Sequence, residues 1–512
     1  MARFLYKMFI RQKNNKSGTV SIQIIDKSRG RYKTVKTIGT SMDPLELDRL
    51  NAQAKSELIS LSRQLDINFN IDREKELIDL FFKGIDKIRL VGPELILGKL
   101  FDEIGFNGIK EELFRHLVIT RLCNPVSKLK TTDYLFKYKG ISIDVERIYR
   151  YLDKLHDKQK ERVQEISYAH TLRILDNAIS VVFYDVTTLY FEIEDPDDLR
   201  VTGFSKEGRH QNPQILLGLL VSIDGYPLAY EIFEGNKYEG HTMLPVLEAF
   251  KTKYNLKDLV VVADAGLLSD GNIIELKSKN YQYILGARLK SEKRSFQSQI
   301  LALKLENGQC EELEIDPETR LIVSYSEARE KKDKSNRHRG LEKLERAIKT
   351  GRLSKKNINN RGYNKYLKLD GKVSISIDYE KFNGDDKWDG LKGYVTNTNL
   401  DKDQVITQYG KLFLIEKAFR ISKSDLRIRP IFHRLRNRIE AHICIAFCAY
   451  KIYKELERQL KLAGAKWSPE KAIDIANTIF EITIILPFSK TIEARLHLPN
   501  DEQVELLNLF KN

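Results

Sequence analysis

Cysteine is scarce: Cys123, Cys310, Cys444 and Cys448 are the whole complement of 512 residues, and no two stand in a CxxC spacing. That excludes a zinc ribbon and a disulfide framework, and it fits a reducing compartment. Cys444 and Cys448 lie one helical turn apart among apolar neighbours, where packing explains them. Long apolar runs are missing as well. Met1-Ala2-Arg3-Phe4-Leu5-Tyr6-Lys7 carries no apolar signal core, and no stretch approaches membrane-spanning length. A cytoplasmic location with no membrane partner is expected. Acidic excess is absent too. Eighty-six Lys and Arg against 72 Asp and Glu leave a net charge of +14 spread over the chain. That balance favours a polyanionic partner, nucleic acid before membrane surface.

What is present is enough sequence for two to four domains. Three short apolar strands separated by basic turns (Phe4 to Ile10, Thr19 to Ile25, Arg31 to Ile38) precede a helix over 44–64. This basic β-unit over 1–65 suits either phosphates or solvent. From 66 to 175 the pattern is helical, with breaks such as Asn124-Pro125 and helix starts at Ser127 and Asp144. It fits a DNA-reading helical unit and equally a small bundle.

At Val181-Val182-Phe183-Tyr184-Asp185-Val186-Thr187-Thr188-Leu189-Tyr190 the pattern becomes a β-strand interrupted by a carboxylate. A half-buried Asp costs several kcal/mol unless it is hydrogen-bonded, paired or metal-bound; a local bond to Thr187 or Thr188 would also satisfy it. Leu259-Val260-Val261-Val262-Ala263-Asp264 repeats the arrangement. Between them two apolar runs flank Asp224-Gly225, a strong hairpin signal, and an amphipathic helix covers Thr242 to Phe250. A further helix and a strand from Tyr281 to Leu285 complete the order strand, hairpin, helix, strand, helix, strand. The expected fold is α/β, an RNase H-like mixed five-stranded sheet in which the first and fourth strands bring Asp185 and Asp264 to one edge. Residues 176–288 form its first part and 391–465 its second, with a densely charged insertion over 289–390 and a helical tail over 466–512. Trp388 in the insertion reads either as a stacking platform for an unpaired base or as a turn anchor.

A helix is expected from about Asp401 to Ser424. On it Leu412, Glu416 and Lys423 lie about −60°, −20° and −40° from Tyr409, one stripe at ~100° per residue. A carboxylate brought inward beside two strand-borne aspartates would complete three hard oxygen ligands, of the kind Mg²⁺ prefers. Two such ions can activate a water or 3′-hydroxyl and stabilise the leaving oxygen of a phosphodiester displacement.

Tyr409, Glu416 and Lys423 match the Tyr-x2-Arg-x3-Glu-x6-Lys signature of one branch of the DDE transposases of bacterial insertion sequences, with Leu412 at the Arg position. The resemblance extends to Gly203-Phe204-Ser205-Lys206-Glu207-Gly208-Arg209 with Pro213-Gln214, to Glu234-Gly235-Asn236-Lys237, to Arg429-Pro430-Ile431-Phe432-His433 and to Arg438-Ile439-Glu440-Ala441-His442. It implies Asp185, Asp264 and Glu416 as catalytic residues and ligands of two Mg²⁺ ions, for which Mn²⁺ can substitute. It implies cleavage at the terminal repeats of an element, a hairpin intermediate, strand transfer into double-stranded target DNA and a homodimeric synaptic complex. Tyr409 and Lys423 would contact DNA near the scissile phosphate, Lys411 could stand in for the missing Arg, and the insertion would be largely β-structure. Lys206 and Arg209, in the loop joining the first two strands, are candidate phosphate contacts, though a solvated loop explains them equally. His433 and His442 read as structural.

Two other readings stay open: a DNA-binding derivative without catalysis, which Leu412 permits, and a structure-specific nuclease that cuts without strand transfer.

Overall fold

The computed structural model describes residues 8–27, 30–62, 66–155, 158–192, 195–204, 211–267, 269–354, 357–359, 362–370, 374–487 and 489–511. The chain divides into two compact units, one of residues 1–88 with 481–497, the other of 89–480 with 498–512. Among the described residues no helix is long and apolar enough to cross a membrane.

In the smaller unit, strands Met8–Asn14, Val20–Asp26 and Lys33–Ser41 form an antiparallel sheet. The helix Pro44–Ser62 follows. Ile22, Ile24 and Ile25 are fully buried in this sheet, while the basic residues of the third strand stay exposed. Strand Ile492–His497 pairs with Phe480–Ile485, so the tail read as wholly helical contains a hairpin.

The larger unit is built on an eight-stranded mixed sheet. Its strands are β1 (Val181–Tyr190), β2 (Gln214–Ser222), β3 (Pro227–Glu234), β4 (Val260–Ala263), β5 (Gln282–Ala287), β6 (Cys310–Asp316), β7 (Thr319–Tyr325) and β8 (Leu391–Thr396). Their order across the sheet is β6-β7-β8-β5-β4-β1-β2-β3. β1, β4 and β5 are mutually parallel and every other neighbouring pair is antiparallel. The near-continuous apolar runs of β1 and β2 follow from burial on both faces. Asp224-Gly225 does turn the β2–β3 hairpin: the Gly225 N–H donates to the Ser222 carbonyl at 2.8 Å, and its φ of 81° suits a residue without Cβ.

The sheet thus holds the five expected strands and three more. β6 and β7, which lie within the expected insertion, pair onto β8 instead of standing apart. What remains between β7 and β8 is dominated by the 23-residue helix α3 (Glu327–Lys349), with a short hairpin of Leu367–Asp370 and Ser374–Ile377. The insertion is therefore more helical than β. Its helix carries charge on nearly every turn and little apolar periodicity, so tertiary packing, not amphipathicity, sets it.

Two sets of helices cover the sheet. On one side α1 (Met243–Tyr254) and α2 (Asp270–Ser278) place Leu244, Leu247 and Leu276 against Val182, Tyr184, Val261, Ala263, Leu285 and Val395. On the other lie α4 (Lys402–Gly410), α5 (Phe413–Ser424) and α6 (Arg436–Leu462). Their Tyr409, Ile415 and Phe447 share a core with Phe183, Leu189, Val262, Ile284 and Tyr394. Burying such side chains contributes roughly 1.5–3 kcal/mol each.

Candidate active site

The parallel register sets the first feature of the site. β1 and β4 pair Val181 with Val260 and so on to Tyr184 with Ala263; the next pair along is Asp185 and Asp264. Strands in a sheet run about 4.8 Å apart, so the two carboxylates start from neighbouring backbone positions. Side-chain alternation does the rest. Residues two apart from Phe183 and Val262 share their face, which puts Asp185 and Asp264 on the side covered by α4 and α5.

The two aspartates are held differently. β1 continues past Asp185, paired with β2 from Asp185–Leu219 to Tyr190–Gln214, whereas β4 ends at Ala263 and Asp264 opens a turn. Asp185 is half-buried and Asp264 exposed. Each accepts the N–H of the following residue on Oδ1, from Val186 at 2.7 Å and from Ala265 at 2.6 Å.

The expected single helix over 401–424 is broken in two. Asp401 and Gln404 form a capping box that starts α4. α4 ends at Gly410, and the N–H groups of Leu412, Leu414 and Ile415 donate to Tyr409, Lys411 and Leu412, each three residues back. Such tight turns advance the chain ~120° per residue in place of ~100°, so the stripe is not carried across unchanged. Tyr409 and Leu412 are buried, Glu416 is exposed in the first turn of α5, and Lys423 is half-buried in its last. Leu412 joins the core and so takes no part in the polar surface. α6 braces α5 through a Lys417–Glu457 ion pair, as its apolar pattern suggests.

The Tyr409 hydroxyl fills a gap left by a glycine, in the field of Asp264 and Glu416. Gly286 stands beside the Asp264 position in the β4–β5 register, and a methyl group there would run into the Tyr409 hydroxyl and the backbone of Ala265. The Tyr409 ring packs edge-on to Tyr394, centroids 4.9 Å apart. Burial pushes its hydroxyl pKa up, and the charges of Asp264 and Glu416 push in the same direction. The ammonium of Lys392 on β8 lies 4.4 Å from the ring centroid of Tyr409 and 5.3 Å from that of Tyr394. Burial and Arg329 lower the Lys392 pKa, against the pull of Asp264 and Glu416. Glu416 thus acts electrostatically on the same tyrosine and lysine as Asp264.

Asp185, Asp264 and Glu416 are hard oxygen donors, a set that suits Mg²⁺. Among the described residues no three Asp, Glu, His or Cys side chains lie close enough together to enclose an ion.

Lys206 and Arg209 lie outside the described residues. Trp388 is buried, so its ring anchors the turn before β8 and is closed to a stacked base. His442 is buried with Nε2 3.0 Å from the Ile428 carbonyl, and burial holds the His433 pKa down to about 4; both are structural. Lys392, Gly286 and Tyr394 escape sequence reasoning, since nothing distinguishes one lysine among 86 basic residues until β8 is placed beside β5.

The family profile described as "Transposase DDE domain" matches residues 178–452. No curated protein matches the chain. Among solved structures, the piggyBac transposase synaptic complex with hairpin DNA is similar over 76% of this chain and 79% of that one, at 11% identity and a TM-score of 0.37. The Mos1 transposase paired-end complex with left transposon end matches 33% of this chain and 56% of that one, at 9% identity and a TM-score of 0.16.

Proposed function

The chain belongs to the DDE transposases, whose family profile covers more than half of it, and from that membership we propose that it cuts the ends of an insertion element and joins them to target DNA. Asp185, Asp264 and Glu416 are the reacting centre in this reading, on an RNase H-like scaffold of the bacterial insertion-sequence branch. The observation that carries it is the register that puts Asp185 and Asp264 side by side on the face covered by Glu416's helix. Two Mg²⁺ ions, or Mn²⁺ in their place, would activate the attacking water or 3′-hydroxyl and stabilise the leaving oxygen.

The protein's own share is positioning and charge. Asp185 and Asp264, on short side chains from the sheet, hold one side of the reacting phosphate's surroundings; Glu416 reaches in from α5. Tyr409, fixed by Tyr394 and Gly286, presents a hydroxyl that stays protonated, suited to donate to a phosphate oxygen. Lys423 lies on the same helix as Glu416 and contacts the DNA backbone. Two copies of the chain assemble on paired ends.

The test is cleavage of a duplex carrying the element's own terminal repeat, with Mg²⁺, by the wild type and by Glu416→Gln. Nicking at the repeat end that the variant loses is the expected result, with joined products when paired ends and target are supplied. Binding without cutting under Mg²⁺ or Mn²⁺ would remove the enzyme reading and leave a DNA-binding derivative; cutting without joining would leave a nuclease.

A further inference from the structure

On the β5–β8 side of the sheet lies an open cleft of about 230 Å³ whose lining includes Arg288, Lys290, Arg329 and Lys392. They come from three parts of the site's frame. Arg288 follows β5 directly and its Nη2 donates to the carbonyl of Gly266 at 3.3 Å, two residues beyond Asp264. Lys392 lies on β8 with its ammonium over Tyr409 and Tyr394. Arg329 comes from the first turn of α3, its Nε donating to the Leu391 carbonyl at 3.3 Å.

The charges do not cancel. Lys290 is answered by Asp385 at 3.2 Å and Arg329 by Asp333 at 3.4 Å. Among the described residues neither Arg288 nor Lys392 has a carboxylate within 4 Å. A cleft with an excess of cations, running from Lys392 in the field of Asp264 and Glu416 to Arg329 in the insertion, takes an extended anion better than a point one. Its chemistry is that of phosphate contact and not of base reading: its one large aromatic, Trp388, is buried.

We propose that this cleft holds the DNA backbone adjoining the scissile phosphate, with Lys392 at its inner end and Arg329 and Arg288 leading outward over the inserted segment. The inference rests on the reading of Asp185, Asp264 and Glu416 as the reacting centre, and it makes α3 part of the DNA path.

The experiment measures the salt dependence of binding of the full chain to a duplex of arbitrary sequence and to one carrying the terminal repeat. Wild type is compared with Arg288→Gln/Arg329→Gln/Lys392→Gln, each variant first checked for an unchanged melting curve. Each lost phosphate contact lowers the slope of log K against log salt by about 0.9, so the triple variant should lose about 2–3 from its slope on both duplexes. Lys392→Arg should keep the slope that Lys392→Gln loses. A triple variant with the wild-type slope overturns the cleft. Cutting is scored separately: a wild type that binds with the expected slopes and never cuts leaves the cleft standing and removes the catalytic reading. One that cuts while the slopes stay equal does the reverse.

Discussion

The two faces of the eight-stranded sheet are written in alternate residues of the same strands, and they differ completely. Under α1 and α2 the sheet offers Tyr184, Val261, Ala263, Leu285 and Val395, all buried. Under α4 and α5, one residue along each strand, it offers Asp185, Asp264, Gly286 and Tyr394, with Lys392 beyond. One face is packing and the other begins as packing and ends as chemistry. A strand's period of two lets a short stretch serve both without compromise, and it means that substitutions one residue apart should fail in different ways.

The sharpest break in this comparison is Asp185→Asn. Under the proposed role of Asp185 as a ligand of the reacting ions, cleavage should fall by about 10²–10³-fold or more. Urea unfolding of the metal-free protein should shift by no more than about 1 kcal/mol, because the amide oxygen can still accept the Val186 N–H. A loss of folding comparable to the loss of cleavage would make Asp185 structural. Leu285→Ala tests the opposite face. A cavity under α1 and α2 costs about 2–5 kcal/mol, while cleavage per folded molecule should stay within a few-fold of wild type. Smaller, and lying between the two, is Gly286→Ala. Pushing Tyr409 out of its gap should cost about 1–3 kcal/mol of stability and lower cleavage about 10-fold or more. Adding Tyr409→Phe removes the hydroxyl clash and leaves the one with the Ala265 backbone, so the double variant should recover part of the stability without recovering activity; additive losses would break the assigned contact.

Legibility in the sequence followed the strength of local pattern. β1, β4 and the Asp-Gly hairpin are short, strongly apolar and bounded by turn residues, so both aspartates and their shared edge could be read from them. The break after Gly410 could not, because Tyr409, Leu412 and Glu416 keep helical spacing in the sequence whether or not one helix runs through them. α3 went unread because Glu327 to Lys349 is charged on nearly every turn. β6 went unread because Cys310 to Asp316 is rich in Glu and holds no apolar run, and the edge that β7 and β6 extend is supplied only by β8. Lys392 is the plainest case: its place beside Asp264 is fixed by which strand neighbours which, and no local pattern carries that.

The unequal tethering of the two aspartates has a mechanical consequence. Asp185 is clamped within a paired ladder that runs on for five residues to Tyr190, while Asp264 hangs at the mouth of a turn where its strand has ended. In an in-line displacement the phosphorus travels between the entering and leaving oxygens, and the groups around it must keep pace. In the proposed reaction, the carboxylate on the paired ladder would keep its place, and the one beyond its strand's end would be the freer to follow the phosphorus.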